Sequence, residues 1–498
     1  VSVIGLDLGT SGVRAVAFAE SGAVLGSATA PLELLRDGTG RAELDAFSLI
    51  EAAERVVRDA AVAATAAGDA PGALGFSVLG EAVVPVDAHG GPMARIAVSM
   101  DGRGAPAARA IGERVGAERF QQITGQPLHG MFSVFKIMAG GDGWADAAGF
   151  RCVGDLLAER WTGVPGIDLS QAARTGLLDV DSGEWSEELL AAVAIDAPWL
   201  RRDRLPVPFP AGAVIGGLAE ESAIRLGMPA GTPIVAGAHD QAAAYLGADG
   251  RPGGRAVIAL GSSDCLTVGT PDRLAGLDDT GFAGYRVDDG LWITLAGTAA
   301  GGWALEWLAG MLRREVGDVF GAIAEEPPAL LVLPYLAGSG TLDNDPDARG
   351  VIHGLTLDTG VPELARAFIE SAGFEFYKIA AAFRARGVGL GELNVTGTGA
   401  SNAAALAARA DASGLELTPV TSDASVRGAA MFALRALGGG PAALRAPADE
   451  ERTARPHPET APWYDLQRAA YVDLYRATRA VASHLDISAQ PHQKEKNT

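Results

Sequence analysis

Cysteine is nearly absent: the 498 residues include two, Cys152 and Cys265. One disulfide is the most they allow. Both sit in apolar runs, so they read as buried free thiols of a reducing compartment. The few histidines, among them His129, His239 and His353, are scattered without the spacing of metal ligands. Positive charge is in deficit: 40 Lys and Arg face 61 Asp and Glu, for a formal net charge of -21. That balance argues against a nucleic-acid groove or an anionic membrane as partner. A small anion stays compatible, because a nest of backbone N–H groups binds phosphate whatever the net charge. No apolar run approaches membrane-spanning length, and no basic stretch precedes an apolar signal core. A cytoplasmic protein is expected.

What is there is long, apolar and Gly-rich. The length exceeds one ordinary core, so two or more domains are expected, and 48% hydrophobic against 20% charged residues is a globular balance. The chain opens with "VIGLDLGTSGVRAVAF" (Val3 to Phe18), two apolar strands joined by a tight corner, with a third strand in "AVLGSATA". A helical pattern comes next, with Asp45 as N-cap and Gly68 as stop. "ALGFSVLGEAVVPVDAHGG" adds two strands, and the alternation predicts a layered α/β domain. "AVIALGSSDCLTVGT" (Ala256 to Thr270) repeats the opening shape, setting Gly9-Thr10-Ser11-Gly12 against Gly261-Ser262-Ser263-Asp264. A duplicated domain is therefore expected, with its boundary near residues 240 to 255.

Gly/Ser/Thr corners expose N–H groups and carry little bulk, as close-approaching phosphate oxygens require. An ordinary hairpin turn looks the same, so one corner alone says little, whereas two in matching places would face each other across a cleft. "VTGTGASN" (Val395 to Asn402) is a strand-to-helix turn, with Ser401 or Asn402 as cap, and allows close approach of an adenosine or its phosphates. The hairpins differ in one respect: Asp7 is matched by Ala259. Asp7 is thus a candidate for the water shell of a Mg²⁺, its bland alternative being a pair with Arg14. In "IVAGAHDQAAAYLGA" (Ile234 to Ala248), Asp240 either caps a helix or accepts a hydroxyl proton.

Together these stretches resemble the FGGY family of carbohydrate kinases, within the fold group of actin-like ATPases and hexokinase. "GLDLGTSGVRAVAF", "GAHDQAAAYLG", "ALGSSDCLTV", "LPYLAGSGTLDNDPDARGVIHGLTL" and "VTGTGASN" carry the resemblance, with "ADASGLEL" and "SDASVRGAAMFAL" on the adenosine side. It implies two duplicated ribonuclease H-like α/β domains, residues 1–243 and 244–498, around a central cleft. It implies ATP and Mg²⁺, and transfer of a phosphoryl group to a sugar or polyol hydroxyl, a reaction of placement and charge stabilisation. By carry-over Asp240 is the base and Asp7 serves Mg²⁺. Thr10, Ser11 and Arg14, with Gly9, lie against the phosphates, and Gly261, Ser262 and Ser263 cradle them from the second domain. Gly399, Ala400 and Asn402 touch adenosine or the phosphate tail.

The substrate stretch fits neither of two known patterns. Xylulose kinases usually carry Gln-Met-His and then Trp-x-Asp-x-Arg; here Glu81 replaces the His and no Trp precedes Asp101. Glycerol kinases place an Arg before a Glu; here Gly80 precedes Glu81. Glu81 and Asp101 are expected to accept from substrate hydroxyls, with Arg103 orienting Asp101. A pentulose such as xylulose is the first expectation, glycerol or a four-carbon polyol the second. A non-catalytic binder of the same fold is the rival, and it would need no base at Asp240. A homodimer is compatible with this reading. Trp303 and Trp307 read as core, Lys136 as an ordinary helix charge, and "SAQPHQKEKNT" as a frayed tail.

Overall fold

The computed structural model describes residues 1–482 except 262, 277–280, 299, 322, 337, 346 and 421–422. The chain divides into two compact units. The first comprises residues 1–257, 267–295 and 420–448, the second 258–266, 296–419 and 449 onward.

The first unit is built on a mixed six-stranded sheet. Its order is Val214–Gly217, Pro233–His239, Pro71–Val78, Ser2–Leu8, Gly12–Phe18 and Val24–Pro31. The three central strands, Pro233–His239, Pro71–Val78 and Ser2–Leu8, run parallel, so their carboxyl ends share one edge. The opening hairpin is antiparallel as expected, with Asp7 opposite Arg14.

Alternation along the strands separates the two faces. Ile4, Leu6 and Leu8 join Leu74, Phe76 and Val78 in one core, which also takes Leu49, Val56, Val57 and Ala60 of the helix Ala46–Ala66. That helix is capped by Asp45, whose side chain accepts from Ser48 N at 2.8 Å. The residues between point to the other face. There Gly5 and Gly75 are register partners, and a Cβ on either would stand 2.0 or 2.3 Å from the carbonyls of Val426 or Ala429. The missing side chains let the helix Ala424–Ala436 lie directly on the sheet. The same helix meets Asp240–Gly247 through Gly428 and Gly247, whose added Cβ atoms would sit 1.9 and 1.8 Å from backbone oxygens. The segment "SDASVRGAAMFAL", read with the adenosine side, thus belongs to the first unit.

The second unit joins Glu392–Thr396 in parallel to Thr418–Pro419, and packs them with the helices Gly302–Leu312, Val361–Ala385, Ala403–Ser413 and Ala461–Ala482. One core gathers Leu305, Leu308, Phe368 and Ala405; another gathers Tyr335, Phe374, Tyr464, Tyr471 and Tyr475. The helix Ala461–Ala482 supplies Tyr464, Tyr471 and Tyr475 to the second of these cores. Trp303 and Trp307 correct the reading as core: both are 43% exposed, because Ala304, Leu305 and Leu308 turn inward instead. Cys152 is buried, whereas Cys265 is only half-buried. The tail "SAQPHQKEKNT" lies outside the described residues. Among the described residues no helix is long and apolar enough to cross a membrane.

Candidate active site

Parallel strands present their carboxyl ends to ligands, and the charged residues of the first unit collect there. Asp7 and Ser77 are register partners one step before their strands end. Ser77 Oγ donates to Asp7 Oδ1 at 2.6 Å. Burial pushes the Asp7 carboxyl up, while Ser77, Ser425 and Arg14 pull it down. Ser425 lies in the first turn of Ala424–Ala436, so a helix N-terminus faces Asp7. Arg14 does not form the pair weighed as the alternative for Asp7: its ion pair is with Asp423, a residue at φ +100° just before that helix. The corner itself closes through Gly9 N–H to Gly12 O at 3.0 Å, with Thr10 half-buried and Ser11 exposed.

The neighbouring strand has an extra residue between Val235 and Ala238 relative to Gly75 and Ser77. Such a bulge re-aims the side chains beyond it, here those of His239 and Asp240. Asp240 does not cap the helix as read: His239 holds the cap position, and Asp240 is the first helical residue. The Asp240 side chain is 36% exposed, so a substrate hydroxyl can reach it. Protein packed around it pushes its pKa up to about 7, with the charges of Asp7 and Glu81 adding to the rise. His239 Nε2 lies 3.3 Å from Asp240 Oδ1, its Nδ1 2.8 Å from Tyr285 Oη, and its backbone N–H donates to Ser170 Oγ at 2.7 Å. Burial first, then Arg174, hold His239 well below the usual histidine range. A neutral imidazole with Nε2–H toward Asp240 and Nδ1 accepting from Tyr285 fits both ring contacts.

Glu81 is buried, with φ +61°, and pairs with Arg174, the last residue of the helix Leu169–Arg174. Ser133 Oγ donates to Glu81 O at 3.0 Å, and Arg174 Nη1 donates to Gln126 Oε1 at 2.8 Å. Gly80 is required at its place: a Cβ there would stand 2.7 Å from His239 Nε2. Lys136 corrects the reading as an ordinary helix charge. It is fully buried, donates from Nζ to Val98 O at 2.8 Å, and is pushed down to about 8 by burial against the pull of Glu81 and Asp101. Asp101 is engaged within the chain: Oδ1 accepts from Arg103 N and Nε at 3.0 and 2.7 Å, and Oδ2 from Ala42 N at 2.9 Å. Arg103 also pairs with Glu43.

The second unit holds a cavity of about 390 Å³. Gly261, Gly399 and Asn402 line it, with Asp264, Gly302, Glu306 and Arg409. Asn402 is the cap of Ala403–Ser413, its Oδ1 accepting from Ala405 N at 3.0 Å. Ala400 is buried in the turn, and its carbonyl accepts from Arg452 Nη2 at 3.2 Å. Gly397 (φ +94°) lets the turn run against Leu260, whose carbonyl a Cβ would meet at 2.2 Å. Ser263 is exposed, and Ser262 lies outside the described residues.

Among the described residues no three His, Cys, Asp or Glu side chains form a metal-binding group. A divalent ion at Asp7 would therefore need phosphate oxygens and water to complete its shell, the usual way Mg²⁺ is held. Asp7 fits that role, since Arg14 is paired with Asp423 and the hydroxyls of Ser77 and Ser425 hydrogen-bond its carboxylate.

Comparison with known proteins fixes the class. The model of the FGGY family of carbohydrate kinases, N-terminal domain, matches residues 2–247, and that of its C-terminal domain matches residues 256–437. The chain belongs to the FGGY family of carbohydrate kinases, ATP-using phosphotransferases with an alcohol group as acceptor. It is 30% identical to a xylulose kinase of Klebsiella pneumoniae over 74% of this chain and 76% of that one. It is also 30% identical to a glycerol kinase of Alkalilimnicola ehrlichii, over 88% and 90%. A crystal structure described as a xyloylose kinase from Brucella ovis superposes with a TM-score of 0.88 at 25% identity, covering 97% of this chain and 100% of that one. The mixed α/β architecture is thus that of FGGY kinases.

Arg174, Tyr285, Ser77 and Asp423 were not singled out by sequence. Each is a partner brought from far along the chain, and only Gly80 before Glu81 signalled that the arginine comes from elsewhere.

Proposed function

We propose that the acceptor is a small ketose, a pentulose such as xylulose before glycerol or a four-carbon polyol, and that Asp240 takes the proton of its reacting hydroxyl. The observation that carries this is the packing of Gly80 on His239. An arginine before the glutamate, as in the glycerol-kinase pattern, has no room there. Arg174 comes instead from another helix and turns its guanidinium on Glu81. Glu81 accepts from substrate hydroxyls, and Asp101 acts from behind by fixing Arg103. His239 donates to Asp240 and sets the direction of its free oxygen.

In this reading residues 1–243 bind sugar and carry the first phosphate loop and Asp240, and residues 244–498 carry the second phosphate loop and bind adenosine. Gly9, Thr10, Ser11 and Arg14 lie against the phosphates, as do Gly261, Ser262 and Ser263, and Gly399, Ala400 and Asn402 take the adenosine. Mg²⁺, when bound near Asp7, neutralises phosphate charge. Asp7 orients its water shell, and the first turn at Ser425 offers N–H groups nearby.

The test is a coupled ADP-release screen over pentuloses, hexuloses, glycerol, tetritols and sugar acids. The expected result is highest kcat/KM with a pentulose. Glycerol as the preferred acceptor would reverse the order of the two readings.

A further inference from the structure

One buried carboxylate of the first unit has no part in binding or proton transfer. Asp168 ends the strand Gly166–Asp168 and is 6% exposed. It caps the helix Leu169–Arg174, its Oδ1 accepting from Gln171 N at 2.9 Å. A cap needs that bond alone. The same Oδ1 also accepts from Ser170 Oγ, and Ser170 Oγ in turn accepts from His239 N at 2.7 Å. A hydroxyl has one proton to give. With that proton on Asp168, a lone pair of Ser170 is left for the His239 N–H. Without Asp168 the hydroxyl can turn to a backbone carbonyl of its own helix, as serine hydroxyls do.

His239 lies beyond the bulge of its strand and holds the cap position of Asp240–Gly247. Its backbone therefore decides where that helix begins and which way Asp240, the first helical residue, projects. The helix Leu169–Arg174 also reaches the neighbouring strand end. Gln171 Nε2 donates to Val78 O at 2.7 Å, and Arg174 pairs with Glu81. A helix of six residues is marginal without support at its ends, so Asp168 stands behind all three contacts.

We propose that Asp168 and Ser170 are positioning residues for the phosphoryl transfer, a relay from Asp168 through Ser170 to the His239 N–H that fixes the backbone from which Asp240 projects. The inference rests on the reading of Asp240 as the base. Asp168 acts through Ser170, and Ser170 through His239. Once one link is gone, loss of the other therefore adds little, as coupled residues show.

The test uses the full chain as wild type, Ser170→Ala, Asp168→Ala, the double variant and Asp168→Asn. ADP release at pH 8 gives kcat and both KM values, and hydrogen exchange at the His239 amide reads the bond itself. Ser170→Ala keeps the cap and is expected to stay folded, with kcat lowered tenfold or more, both KM values within threefold, and His239 exchange tenfold faster. Asp168→Ala lowers kcat at least as far and also raises sugar KM, because Arg174 shares its helix. The double variant stays within twofold of Asp168→Ala in kcat. Asp168→Asn, whose amide oxygen accepts both bonds, returns kcat to within threefold of wild type. Unchanged His239 exchange or kcat within twofold of wild type in Ser170→Ala overturns the relay, as do single losses that multiply in the double variant. A wild type without sugar-dependent ADP release overturns the kinase reading instead, and His239 exchange still decides the relay.

Discussion

In the proposed role Asp240 accepts a proton, for which it must be ionised, yet its surroundings disfavour the charge. Its pKa of about 7 lies well above the 3.8 of a free side chain. At saturating ATP, kcat/KM for sugar should fall about tenfold per pH unit below that value, since only the carboxylate is a base. The stability effect has the opposite sense. The raised native pKa contributes stability that is full below the unfolded value and is lost as pH rises through about 7. Asp240→Asn removes that loss, so its Tm at pH 8 should exceed that of the wild type, while the two converge at pH 4. A variant less stable than wild type at pH 8 would show that the charge is held comfortably. Glu81→Gln should raise sugar KM at least tenfold with ATP KM within twofold, and equal effects on both would place Glu81 outside the sugar site. Much at this scale was legible: Asp7, Asp240 and Glu81 each stand out as carboxylates beside Gly-rich turns. Their partners were not, because Arg174 and Asp423 reach Glu81 and Arg14 only through the folded chain.

At the scale of elements, glycine pairs decide which helix lies against which strand. Gly428→Ala would set a methyl 1.9 Å from the Ala243 carbonyl. Neither backbone can give way without lifting the helix Ala424–Ala436, so the variant should lose about 3 kcal/mol in urea unfolding. A loss below about 0.5 kcal/mol would show that the helix is loosely seated. Asn402→Ala removes the cap on Ala405 N–H, which should cost about 1 kcal/mol. The opening strands and the helix capped by Asp45 were readable from alternation, caps and stops. Trp303 and Trp307 were not, since a spacing of four gives one face without saying whether it is the inner one. Lys136 escaped for a related reason: its aliphatic stem buries as well as a neutral chain when one carbonyl, that of Val98, receives the ammonium.

For the whole molecule, the family is set by both halves of the chain, whereas the proposed acceptor rests on a few residues of one. The identities of 30% to a xylulose kinase and to a glycerol kinase do not separate the two acceptors, and the proposal rests on Gly80, Glu81 and Arg174 instead. The most direct test of the central claim is ADP release, with and without sugar, by wild type and Asp240→Asn at pH 8. Sugar-dependent release in the wild type, lost by a factor of 10³ or more in a variant that still binds ATP, is the predicted result. Near wild-type turnover by Asp240→Asn would contradict the account.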